Sequence, residues 1–245
     1  AIAESPAALA RQCQLVLWSV SADADVEQVI ELLLPGAHAE LVVVDTSTVA
    51  VDSARRAAAR LAERGARFLD APVSGGVEGA HDGRLAMMVG GDAAVVESAR
   101  PALAALSARI VHMGPVGNGQ AAKAVNQLMA AGIIQAVSEA LAFGAAMKLP
   151  MDKLIEAISQ GAAGSWFLTH RGASMTEGRF APGFRVALHH KDLKLCQAMA
   201  EQLGAQLPLV EMTLVHYRRL IDEGFGDEDI SALYRQKQRL FSSDE

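Results

Sequence analysis

Along the first half of the chain, short apolar runs alternate with longer amphipathic stretches. Residues 15–20 (LVLWSV), 41–44, 67–69, 85–89 and 109–112 are rich in strand-forming side chains. Residues 25–34, about 49–64 and 93–106 carry the spacing of helices, and Pro35-Gly36 closes the first of them. Ser5-Pro6 is a helix-start signal ahead of the first apolar run. Strands separated by helical segments predict βαβ units and a largely parallel sheet.

The second half has no comparable strand-like run. Ala122, Val125, Met129, Ile133, Val137 and Leu141 recur at helical spacing, which predicts one long helix over about 119–147, apolar on most sides and therefore buried. Pro150 and Met151 restart the chain into helices predicted over 152–160, 191–203, 207–223 and 227–240. This pattern predicts an α/β domain over 1–114 and an all-helical domain over 115–245 that includes the long helix.

Composition narrows the possibilities. A chain with 51 % hydrophobic and 20 % charged residues has the material for globular cores. A net charge of −6 without basic clusters argues against nucleic acid. Cys13 and Cys196 stand in no metal or redox spacing and read as two reduced, buried thiols of a cytoplasmic protein. No apolar run approaches the ~18 residues of a membrane span, and the acidic start around Glu4 is unlike a secretory signal.

Three segments carry candidate chemistry. In Gly117-Asn-Gly119-Gln-Ala-Ala-Lys123-Ala-Val-Asn126-Gln127 a glycine turn runs into a helix, and the spacing puts Lys123, Asn126 and Gln127 on one face. The positive end of the helix dipole disfavours a charged lysine there, which suits a group that exchanges a proton near neutral pH. In Asp70-Ala-Pro-Val-Ser74-Gly75-Gly76 a hydroxyl and two unobstructed backbone amides suit a carboxylate, or else form a tight turn. Lys191-Asp192, downstream of Phe184, read as a helix start where a bound anion or a partner offsets the lysine.

Thr48 follows a buried strand and either reaches a ligand or caps the next helix. Trp166 and Arg171 line a pocket or pack, and the adjacent His189 and His190 face different ways and make no metal pair.

Together these segments resemble the β-hydroxyacid dehydrogenase family, which includes 3-hydroxyisobutyrate dehydrogenase and tartronate semialdehyde reductase, over about residues 7–240. The resemblance implies a Rossmann-type domain, a long interdomain helix and an all-α C-terminal domain like that of 6-phosphogluconate dehydrogenase. It implies NAD or NADP as cofactor, a small hydroxyacid or semialdehyde substrate, and a homodimer or homotetramer. Carried over, Lys123 is the general acid/base and Asn126 acts beside it as a catalytic residue. Ser74, Gly75, Gly76, Gln127 and Trp166 bind substrate, and Thr48, Phe184, Lys191 and Asp192 contact the cofactor.

The family's opening strand, its Gly-x-Gly-x-x-Gly turn and its ribose-reading strand are not in this sequence, so the Rossmann-type domain is expected to be N-terminally incomplete here. The competing expectation is a non-catalytic binding or scaffold protein on the same fold, against which the retained Lys123 argues. Lys123 likewise argues against an imine reductase, which shares the architecture and lacks the lysine.

Overall fold

The structure, a computed structural model, describes residues 2–242. It divides into two compact units, Ala1–Val125 and Asn126–Glu245. This division falls inside the long helix, whose first turn is bonded to the loops of the first unit. The outer ends of the expected domains, residue 1 and residues 243–245, lie outside the described residues.

In the first unit, helix α1 (Pro6–Gln12) is capped by Ser5, whose Oγ accepts from the Ala8 amide. Strand β1 (Leu15–Trp18), helix α2 (Asp23–Leu33), β2 (Val42–Asp45), α3 (Val51–Ala62) and β3 (Arg67–Asp70) follow as two consecutive βαβ units. Strands β1, β2 and β3 pair in parallel order. Val43 and Phe68 face a core shared with α1–α3. Val42, Val44 and Leu69 face the opposite core, shared with α5 (Ala93–Leu103). Burial on both faces explains why β2 reads as an unbroken apolar run instead of an alternating one.

The sheet then departs from the parallel expectation. Between β3 and β5 (Leu85–Gly90) lie only the two-residue β4 (Val73–Ser74) and the short helix α4 (Gly76–His81). That connection doubles back rather than crossing over, so β5 runs antiparallel to β3 and β4. The longer α5 restores the crossover, and β6 (Ser107–Gly114) pairs parallel with β5.

Helix α6 (Asn118–Ala146) continues from the first unit into the second. The second unit adds α7 (Met151–Ser159), α8 (Trp166–Thr176), α9 (Val186–Gln202), α10 (Pro208–Asp222) and α11 (Leu233–Gln238), with 3₁₀ turns before and after α11. Ile134, Leu141, Leu168, Met175, Leu193, Tyr217 and Leu233 are among its fully buried side chains.

Several expectations change. Helix α8 was not legible as a helix. Helix α9 starts at Val186, so Lys191 and Asp192 stand in its second turn rather than its first. Helix α6 is not enclosed, since Val125, Met129 and Phe143 are exposed along it. It also contains an 18-residue window of mean hydropathy 1.5, so by length and composition it meets the test for a membrane span that the apolar runs of the sequence did not suggest. With 44 % of that window buried within the protein, it equally fits a core helix. Cys13 is half-buried, not buried, while Cys196 is buried.

The start of α6 sits unusually close to the sheet. A Cβ on Gly119 would lie 2.4 Å from the Met88 carbonyl and 2.6 Å from that of Asp70, both rigid backbone atoms. In an open helix alanine is favoured over glycine by about 1 kcal/mol; here the clash reverses the sign. Gly119→Ala is expected to destabilise the chain by about 1–3 kcal/mol in urea unfolding. Stability equal to or above the parent would contradict this close approach.

Candidate active site

The carboxyl ends of β1, β2 and β3 are joined by side chains that reach between loops. The Ser47 N–H donates to Asp45 Oδ1 at 2.8 Å, and the Ser47 hydroxyl oxygen accepts from the Val20 amide after β1 at 2.8 Å. Gln120, in the first turn of α6, accepts from the Val49 amide and donates to the Ser47 carbonyl at 2.8 Å. Asp70, at the end of β3, completes the set: Oδ1 accepts from the Gly117 amide at 2.8 Å and Oδ2 from the Gln120 amide at 2.9 Å.

One buried carboxylate thus satisfies two of the orphan amides at the start of α6. The same residue leads directly into the loop that carries Ser74, Gly75 and Gly76. Burial pushes the Asp70 carboxyl above its ordinary range, opposed by the two amides that favour its charge.

Gly75 (φ 135°) and Gly76 (φ 62°) lie in the left-handed region, which explains the pair of glycines, and both are exposed with Ser74 half-buried beside them. Lys123 follows Gln120 by three residues and is only 6 % exposed. Thr48 is half-buried; α3 begins at Val51 with Ala50 as its N-cap residue, so Thr48 does not cap that helix.

In the second unit four of the sequence-predicted residues form one hydrogen-bonded chain. Asn126 Nδ2 donates to Gln127 Oε1 at 2.8 Å, Gln127 Nε2 donates to Asp192 Oδ2 at 2.7 Å, and Lys191 Nζ lies 3.1 Å from Asp192 Oδ1. Gln127 and Asp192 are buried. His189 supports them from α9. Its Nε2 faces the Gln127 carbonyl at 3.3 Å, which assigns the proton to that nitrogen, and its Nδ1 accepts from the Tyr217 hydroxyl at 3.0 Å. Burial holds the Tyr217 hydroxyl far above its ordinary pKa, so it stays a donor.

The Phe184 ring packs on His189 with centroids 5.5 Å apart. Its backbone is set by Asp229, whose Oδ2 accepts from the Gly183 and Phe184 amides, each at 3.0 Å. Trp166 is outside this chain of bonds: it is 56 % exposed, stacked on His170 at 4.2 Å, with the Arg171 guanidinium 5.4 Å from its centroid.

Sequence reasoning missed Gln120, Asp229 and the Tyr217–His189 pair, and quoted Asp70 without its role. Only Asp70 carried a signal, an acidic residue ending an apolar strand. Among the described residues no cluster of three or more His, Cys, Asp or Glu forms a metal site.

The residues present fit part of a dinucleotide. Ligands of open α/β sheets bind beyond the carboxyl ends of the strands. There, buried Asp45 Oδ2 is without a hydrogen-bond partner among the described residues, beside turns 18–21 and 45–48. No Gly-x-Gly-x-x-Gly turn is present, so no residue is assigned to the pyrophosphate.

The fold and these segments define a nucleotide-dependent oxidoreductase of two-unit architecture. Residues 1–114 match the family described as the NAD binding domain of 6-phosphogluconate dehydrogenase. Residues 117–236 match the one described as NAD-binding of NADP-dependent 3-hydroxyisobutyrate dehydrogenase. An uncharacterised oxidoreductase of Shewanella frigidimarina is 38 % identical over 213 residues, covering 86 % of this chain and 73 % of its own. An NAD-dependent L-serine dehydrogenase of Pseudomonas aeruginosa is 37 % identical, over 81 % of this chain and 68 % of its own. A solved Mycobacterium tuberculosis 3-hydroxyisobutyrate dehydrogenase with L-serine superposes with a TM-score of 0.84 at 31 % identity, over 94 % of this chain and 81 % of its own.

The chain belongs to the β-hydroxyacid dehydrogenase family. It is an NAD(P)-dependent oxidoreductase, and NAD or NADP is its cofactor.

Asp45 supplies a test of the site's electrostatics. Burial raises its carboxyl pKa, against the Ser47 bonds and the nearby Trp18 indole, which lies outside hydrogen-bond geometry. A raised folded-state pKa means the native chain binds the proton more tightly than the unfolded one. Stability from this group is therefore full below the unfolded value of about 3.9 and declines as pH rises to the folded value. Relative to the parent, Asp45→Asn is expected to gain stability from about pH 4 up to the folded-state pKa of Asp45, and to hold a constant difference above it, in denaturant titrations. A difference that is flat throughout or falls with pH would contradict the assignment.

Proposed function

We propose that the chain catalyses reversible oxidation of a short β-hydroxyacid to its semialdehyde or keto acid, with Lys123 as general acid/base. The observation that supports this most is the placement of Lys123. It is buried, one turn beyond the amide that Asp70 holds, and Asp70 also opens the Ser74-Gly75-Gly76 loop. The loop offers two exposed glycine amides and a hydroxyl to the substrate carboxylate. NAD(P), when bound, supplies the hydride acceptor for oxidation and the donor for reduction. Lys123 takes the hydroxyl proton in oxidation and returns it in reduction. Asn126 orients the reacting group, and Thr48, Phe184, Lys191 and Asp192 hold the nicotinamide end of the cofactor.

Within the family, the named relatives favour a short 3-hydroxyacid of the serine or hydroxyisobutyrate type as substrate. We propose a cytoplasmic location, which the free thiols of Cys13 and Cys196 support. We also propose a homodimer or homotetramer, supported by the uncovered apolar side chains Met129, Phe143, Met212 and Val215 of the helical unit.

Lys123→Ala is expected to lower kcat by about 10²–10⁴ in steady-state assays of short 3-hydroxyacids with each cofactor, while NADH still binds by fluorescence titration. Turnover close to the parent's would refute the lysine's role, and absence of cofactor binding in the parent chain would favour a scaffold instead. Met129→Asp with Phe143→Asp is expected to shift sedimentation toward a monomer; an unchanged sedimentation coefficient would remove this face from the assembly.

A further inference from the structure

Gln127 was expected to bind substrate, yet both polar atoms of its buried amide are engaged within the protein. Their direction is fixed by chemistry. Asp192 Oδ2 is an acceptor, so the Gln127 atom 2.7 Å from it is the Nε2 donor. Gln127 Oε1 must then face Asn126, and only the Nδ2 of Asn126 can meet it, at 2.8 Å. The second oxygen of Asp192 is held by Lys191 at 3.1 Å, and the backbone of Gln127 is held by His189. Nothing in this chain can be reversed without placing two donors or two acceptors face to face in a buried setting.

We propose that Gln127 is a positioning residue, through which the Asp192 carboxylate fixes the Asn126 amide so that its carbonyl Oδ1 is the atom turned to the substrate. Asn126, half-buried at the end of this relay, then meets the substrate as an acceptor for a hydroxyl or ammonium hydrogen. The energetic logic is that of an orientation paid in advance: a side-chain amide free to flip would present the wrong atom in a share of encounters. This rests on the proposed role of Asn126 in the reaction, but the relay itself is a property of the chain alone.

The test reads both. In the full chain, the Asn126 side-chain amide is followed by ¹⁵N–¹H NMR, assigned by its loss in Asn126→Asp. In the parent it is expected to exchange slowly with water and to have one proton shifted downfield. In Gln127→Met, a change of similar volume without an amide, that signal is expected to move to the position of a solvated amide. There kcat is expected to fall about tenfold or more, with the cofactor KM within about threefold. The double variant Gln127→Glu with Asp192→Asn moves the charge by one link and keeps every donor facing an acceptor, so the Asn126 signal is expected to stay downfield.

If Gln127→Met does not fold, Asp192→Asn alone makes the same demand, since the amide at 192 no longer dictates the direction of Gln127. An Asn126 signal unmoved in these variants, or one that moves with no loss in kcat, overturns the proposal. Full activity of Lys123→Ala would instead sink the catalytic reading and leave the NMR result standing.

Discussion

In each unit a buried aspartate accepts backbone amides that would otherwise be unsatisfied, and the candidate-site segments hang from those bonds. Asp70 takes the Gly117 and Gln120 amides in the first unit. Asp229, 1 % exposed, takes the Gly183, Phe184 and Ser231 amides in the second. A buried carboxylate without such partners is costly, and a helix or loop end without an acceptor is equally so. Each removes the other's penalty, which makes the arrangement specific: shifting either partner by one residue leaves both unsatisfied.

The surroundings of the two aspartates differ in a way that follows from their neighbours. At Asp70 the packing is close enough that Gly90 and Gly119 are the only residues that fit; a Cβ on Gly90 would lie 2.3 Å from Asp70 Oδ1. At Asp229 the restraint comes from side chains. Arg171 approaches its Oδ1 at 3.7 Å and fills the space a Cβ on Gly183 would take. Arg235 lies 4.5 Å from the rings of both Phe180 and Phe225 while it donates to Glu228. The second clamp binds the segment before α9 to the segment before α11, so the orientation of Phe184 depends on a residue 45 positions later in the chain, through the 3.0 Å bond from its amide to Asp229.

This explains which features were legible in the sequence. The long helix, β2 and the three motifs were visible because local periodicity and glycine placement determine them. The antiparallel β5 was not, because strand direction follows from the length of the connection around β4 and α4, and residues 71–84 carry no period of their own. Helix α8 was hidden because its polar and aromatic residues mask the 3.6-residue repeat. Its Ser165 cap, which accepts from the Leu168 amide, is a signal that a reading centred on Trp166 passed over. Gln127 shows a further limit: a residue type can suit a ligand while its actual surroundings are decided by a partner far off in the chain, here Asp192.

Buried polar chains of this kind are costly for folding unless every member is satisfied, and the one through Gln127 links Asn126, Asp192 and Lys191 by hydrogen bonds and an ion pair. A purely apolar contact between α6 and α9 would stabilise their packing equally well and fix no amide direction. What the polar contact adds is a sense of direction: an ionised carboxylate at one end determines whether an oxygen or a nitrogen is offered at the other. The helix spacing that places Asn126 and Gln127 in adjacent positions is therefore sufficient for packing, but the charge on Asp192 is needed to turn that packing into a defined hydrogen-bonding surface.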